Sequence, residues 1–166
     1  MEQEDLELII QRYKDMVYRL AFGYMQSRED AEDVFQDVFL KYMEHAGTFK
    51  DEEHKKAWLI RITINHCKSL LRSSWFRKRL PLNDEISITK DISNNSSDSQ
   101  LEWVLMQLKP TERQIIHLYY YEELSIKEIS NLISLSESVI QTRLLRIRKK
   151  LAKLLKEEER YVQGQI

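Results

Sequence analysis

Apolar residues recur at helical spacing from Leu6 to Met25, which predicts one amphipathic helix. Ser27, with Asp30 three residues on, supplies the polar start of a second helix. In that helix Ala31, Val34, Phe35, Val38, Phe39 and Tyr42 share an apolar face, and Asp33, Gln36, Asp37, Lys41 and Glu44 occupy the other side. A third helix is expected from about Lys55 to Arg72. Between Pro81 and Gln100 the periodicity is lost and Ser, Asn and Asp accumulate, the composition of a flexible linker. Helical spacing resumes around Leu101, Val104, Leu105 and Leu108, and Pro110 interrupts it. Thr111 with Gln114, and Ser125 with Glu128, have the spacing of capping boxes and predict two further helix starts. After Ser125 come a short helix from Ile126 to Ile133, a break, and a long helix capped by Ser136. Its apolar seam runs through Ile140, Leu144, Ile147, Leu151 and Leu154. A short helix, a tight turn and a capped long helix in that order predict a helix-turn-helix.

The expected fold is therefore all-α: two small helical domains over residues 1–80 and 101–160, joined by a flexible linker over 81–100, with the helix-turn-helix in the second. Composition agrees, because Gly and Pro number only 3 and 2 in 166 residues while helix formers abound. The lone Cys67 excludes an internal disulfide framework. No stretch reaches the roughly 18 to 20 apolar residues of a membrane span. The amino terminus is acidic where a secretory signal is basic, so a cytoplasmic chain without a span of its own is expected.

Net charge is −1, but the two signs are segregated along the chain. Acids outnumber bases from Met1 to Glu44. From His54 to Leu80 there is no acid, only Lys55, Lys56, Arg61, Lys68, Arg72, Arg77, Lys78 and Arg79. A second basic block runs from Arg143 to Lys156. Two separated cationic blocks suit two contacts with a polyanion, since Lys and Arg gain affinity by releasing counterions from phosphates. Arg61, Asn65, Lys68 and Arg72 are spaced to form one stripe on the third helix, with Phe49 and Trp58 beside it. Aromatic rings next to cations are what single-stranded nucleic acid requires, the rings stacking unpaired bases and the cations holding phosphates. Trp58 reads more readily as core than as a platform, and Trp75 and Phe76 ahead of Arg77–Arg79 repeat the mixture. On the last helix Ser138, Gln141, Thr142, Leu145, Arg146 and Lys149 face away from the seam. Gln can pair with adenine, Arg with guanine or phosphate, Thr with either, and an exposed Leu can meet a thymine methyl.

Three segments carry a resemblance: EDAEDVFQDVFLKYME, TFKDEEHKKAWLIRITINHCKSLLR and LKPTERQIIHLYYYEELSIKEISNLISLSESVIQTRLLRIRKKL. In this order, with a linker between the second and third, the chain resembles the extracytoplasmic-function sigma factors of the sigma-70 family over nearly its whole length. The resemblance implies a factor that binds core RNA polymerase and directs initiation at promoters. It implies that Asp33, Gln36 and Asp37, with Lys41 on the same side, dock on the clamp helices of the polymerase's largest subunit. It implies that Phe49, the loop after it and Asn65 capture an unpaired base of the −10 element, beside Trp58, while Arg61, Lys68 and Arg72 guide the melted strand without ATP. It implies that Ser138, Gln141, Thr142, Leu145 and Arg146 read the −35 element as duplex, with Arg143, Arg148 and Lys149 nearer the phosphates. An anti-sigma factor is the further partner it implies. Ser134 stands where the family usually has Gly in the turn, and Ser130 where it has Ala. A serine in a left-handed turn is strained, so a wider turn, or helices set slightly apart, is expected.

Two other classes fit the sequence less well. A dimeric helix-turn-helix regulator would need a dimer interface or effector pocket, which the basic first domain does not offer. For an enzyme, His45, His54, His66 and His117 are scattered, Cys67 has no triad, and no phosphate-binding glycine loop exists. Neither a metal nor a cofactor is expected.

Overall fold

The computed structural model describes residues 5–73 and 97–162, with side chains described over 5–73 and 101–157. All regular structure among them is helical, and the chain divides into two compact units, Met1–Leu82 and Asn83–Ile166.

The first unit packs three helices: α1 (Leu6–Met25), α2 (Arg28–Glu44) and α3 (Glu52–Arg72). Polar caps set each start. Asp5 accepts from Glu7 N, Ser27 Oγ from Asp30 N at 3.2 Å, and Asp51 Oδ1 from His54 N at 2.7 Å. Each such cap satisfies an otherwise orphaned amide and contributes about 1 kcal/mol. A left-handed Gln26 (φ 54°) ends α1 and turns the chain into α2 within two residues. The apolar faces then meet: Ile9, Val17 and Leu20 of α1, Ala31, Val34 and Val38 of α2, and Leu59, Ile60 and Ile64 of α3 are buried together. The third helix begins at Glu52, not near Lys55, because Asp51 caps it and the acids Glu52 and Glu53 suit its amino-terminal turn.

The second unit contains α4 (Ser97–Met106), α5 (Pro110–Ile116), a single π turn (His117–Tyr121), α6 (Ile126–Ile133) and α7 (Glu137–Val162). Residues 81–96 of the expected linker lie outside the described residues, and Ser97–Gln100, expected to be linker, already belong to α4. Trp75, Phe76 and Arg77–Arg79 likewise lie outside. The start expected at Thr111 falls one residue earlier, at Pro110, with Lys109 as its cap. Pro110 occupies the first helical position, where its missing N–H is no loss, and Lys109 N donates to Glu112 Oε2 at 2.9 Å. Buried Arg113 donates to the carbonyls of Met106 and Leu108, which satisfies acceptors left over at the end of α4. The Ser125 box closes as expected: Ser125 N donates to Glu128 Oε2 at 2.7 Å and Glu128 N to Ser125 Oγ at 3.1 Å. Val104, Leu105, Leu108, Ile115, Leu118, Ile129, Ile140, Leu144 and Ile147 form the core, while Leu101 is exposed at its margin.

Candidate nucleic-acid interface

The connection between α6 and α7 is three residues long. Ser134 takes the left-handed conformation (φ 57°, ψ 40°), so the turn is tight and not widened as its serine led one to expect. Ser130 offers the physical reason. Its hydroxyl, standing where a methyl would do for packing alone, donates to Leu135 O at 2.5 Å and ties the end of α6 to the far side of the turn. Ser136 then caps α7, accepting at Oγ from Val139 N at 3.3 Å.

With Ile140, Leu144 and Ile147 buried, the rest of the first turns of α7 faces solvent. Ser138, Gln141, Thr142, Leu145, Arg146 and Lys149 are all exposed, and Arg143 is half-buried at the flank. Arg148 is exposed yet engaged: its Nε donates to the Tyr120 hydroxyl at 2.8 Å, and its guanidinium lies 5.6 and 5.8 Å from the Tyr119 and Tyr120 ring centres. The Tyr120 hydrogen bond also pushes the Arg148 pKa further up. That residue braces α7 on the π turn, a role the sequence did not suggest.

In the first unit the loop between α2 and α3 is held from within. Thr48 N and Oγ1 both donate to His45 O, at 3.2 and 2.7 Å, and Gly47 adopts φ 88°, a value natural only to glycine. The loop presents Phe49, whose ring lies parallel to Tyr42 (5.5 Å, 3°) and edge-on to Trp58 (5.3 Å, 65°). His54 closes on Phe49 at 5.6 Å and His45 on Trp58 at 5.3 Å. Phe49 and Trp58 are both half-buried, so each has one side in a packed aromatic cluster and another in solvent. Trp58 heads the stripe that continues along α3 through Arg61, Asn65, Lys68 and Arg72; of these Lys68 is half-buried and the others exposed. Sequence reasoning found the two ends of the cluster but missed Tyr42, His45 and His54, because their partners lie on another element or across the loop.

Lys55 departs from the basic block assigned to it. It is buried, and its Nζ donates to Glu52 Oε1 at 3.0 Å. Glu52 also pairs with Arg12 at 2.9 Å and accepts from the Tyr13 hydroxyl. The Tyr13 hydrogen bond is the main reason the Glu52 carboxyl falls to about 2, while burial first and Glu52 second push Tyr13 up to about 12. This knot fixes the first turn of α3 against α1, and with it the loop that carries Phe49.

On α2 the side chains of Asp33, Gln36, Asp37 and Lys41 are exposed along one face. Asp37 Oδ2 lies 2.9 Å from His66 Nε2 of α3, a pairing unforeseen because it crosses two helices. Among the described residues no group of acids, histidines and cysteine is arranged to hold a metal ion.

Comparison with known proteins places these features in a family. Residues 9–77 match the model described as Sigma-70 region 2, and residues 98–151 that described as Sigma-70, region 4. The chain is 26% identical over 147 residues to the ECF RNA polymerase sigma factor SigM of Mycobacterium tuberculosis, covering 89% of this chain and 75% of that one. It is 28% identical over 137 residues to the RNA polymerase sigma factor SigV of Bacillus subtilis, covering 81% of each. In fold it is similar to the sigma factor RpoE of Bartonella quintana, solved with the anti-sigma factor NepR. There the TM-score is 0.71 at 21% identity, over 92% of this chain and 98% of that one.

Proposed function

The chain belongs to the sigma-70 family, among its extracytoplasmic-function members, and on that premise we propose how its two units divide the work. It is a transcription initiation factor that binds core RNA polymerase and directs it to promoters. The observation that carries this is the order of the matches, region 2 over the first unit and region 4 over the second.

The first unit docks on polymerase through Asp33, Gln36, Asp37 and Lys41, and captures the melted downstream element with Phe49, Trp58, Arg61, Asn65, Lys68 and Arg72. The exposed carboxylates on α2 support docking on a cationic helix surface. The half-open aromatic cluster at the head of a basic stripe supports stacking of an extruded base with phosphates held alongside. The second unit reads the upstream element as duplex through Ser138, Gln141, Thr142, Leu145 and Arg146, with Arg143 and Lys149 toward phosphates, because α7 turns these away from its own core.

The protein contributes no chemistry of its own to the reaction. Burial pushes the Cys67 thiol up to about 12, which leaves no thiolate nucleophile near neutral pH, and His66 is engaged with Asp37. Its place of action is the cytoplasm, with the polymerase; no described helix is long and apolar enough to cross a membrane. An anti-sigma factor is its expected inhibitory partner, as NepR partners the structurally similar RpoE.

The test is assembly. Asp33→Lys with Asp37→Lys should abolish capture of purified core polymerase, and Asp33→Lys alone, which leaves the Asp37–His66 pair intact, should weaken it with the helical content of the protein unchanged. Normal capture by the double variant would refute the docking face.

A further inference from the structure

The outer face of α7 carries more apolar surface than a solvated helix needs. Leu145 is 53% exposed and Val139 38%, although α7 has a buried seam in which such side chains could be placed. Val139, Thr142 and Leu145 stand at i, i+3 and i+6, one of the diagonal ridges of an α-helix, with about 4.5 Å of rise at each step. Thr142 belongs to this ridge by its bonding as well as its position. Its hydroxyl donates to Ser138 O at 2.9 Å, so it has no proton to offer a base and presents a methyl beside an oxygen that can only accept. The Ser138 hydroxyl lies 3.3 Å from that of Ser136, where either can donate, and Ser136 Oγ also accepts from Val139 N. Around the ridge stand the cations Arg143, Arg146 and Lys149, which give the face the charge of a phosphate-binding surface.

We propose that Val139, Thr142 and Leu145 form an apolar ridge that reads thymine C5-methyl groups in the major groove. This rests on the reading of α7 as the duplex-recognition helix and specifies what part of that duplex it recognises. The thymine methyl is the one apolar group that a base pair presents there, and burying it against an aliphatic side chain discriminates thymine from every other base. Gln141 and Arg146 are left as the direct donors to base edges, so the recognised element combines thymine positions with positions read by hydrogen bonds.

The test uses holoenzyme assembled from this chain and core polymerase. Duplexes are first selected from a randomised pool, and each thymine of the enriched upstream element is then replaced singly by deoxyuridine, which removes only the methyl group. At two or three positions the replacement should weaken binding roughly fourfold, the factor expected for one buried methyl, and should have no effect elsewhere. Val139→Ala and Leu145→Ala should each erase the penalty at one position, so that the thymine and uracil duplexes bind the variant equally there. If every deoxyuridine duplex binds like its thymine parent, the ridge does not read methyl groups, although α7 remains the recognition helix. If no upstream duplex element is enriched, that underlying reading fails, and the ridge with it.

Discussion

Ser134 bears the strictest conformational demand in the helix-turn-helix. Its φ of 57° lies where a side chain beyond hydrogen crowds the following carbonyl, at about 1 kcal/mol. The Ser130 hydroxyl, bonded across the turn to Leu135 O, offsets this. Ser134→Gly should therefore raise the unfolding free energy of the second unit by about 1 kcal/mol, and Ser130→Ala should lower it by a similar amount. Denaturant titration of both variants checks this, and a destabilising Ser134→Gly would contradict it. Legibility at this scale depended on whether a residue's partner was local. Ser125 and Glu128 could be paired from spacing alone because both lie in one turn. Lys55 could not be removed from the basic block, since its partner Glu52 is held in turn by Arg12 and Tyr13 of α1, the latter 39 residues away in the chain. His66 and Asp37 meet only because α2 and α3 pack side by side.

The helix boundaries follow the local chemistry of their caps, which is why α1, the start of α2 and the whole of α6 could be read directly. Two starts were misplaced. Before α3 the capped first turn is polar, so periodicity begins later than the helix does, and before α5 the cap at Lys109, boxed with Glu112 ahead of Pro110, displaces the one expected at Thr111. The π turn had no signal in the sequence. It arises where the chain widens so that Glu122 N reaches His117 O, and it lets Tyr119 and Tyr120 meet Arg148 of α7. Glu52 gives the first unit a pH dependence with a definite sign. Its folded carboxyl sits at about 2 against an ordinary 4.5, so its contribution is present above the ordinary value and is lost as pH falls toward 2. Tyr13, raised to about 12, behaves in the opposite sense, its contribution being lost as pH rises from 10 through 12. The stability difference between wild type and Glu52→Gln should accordingly shrink between about pH 5 and pH 2. Unfolding of the first unit followed across that range tests this, and a difference independent of pH would contradict it.

For the molecule as a whole, segregation of charge conveys more than its sum. A net charge of −1 conceals an acidic face on α2 and basic surfaces on α3 and α7, one suited to a protein and two to a nucleic acid. The all-α class and the two units were legible because a loss of periodicity and a shift to Ser, Asn and Asp separate two stretches that each close their own core. The aromatic cluster was only half legible, since Tyr42 reads as core, and the two histidines join it through the loop that Gly47 and Thr48 shape. Together the units make up a factor that directs core polymerase to promoters, with, as proposed above, one element read as duplex and the other as single strand. The most direct measurement is transcription reconstituted from purified core RNA polymerase, this chain and a fragment library of the encoding genome. Transcripts should begin at defined sites that share an upstream and a downstream element at fixed spacing, and should disappear when the chain is omitted. Initiation no different from that of core polymerase alone, or dimeric binding to palindromic duplex in the absence of polymerase, would contradict the account.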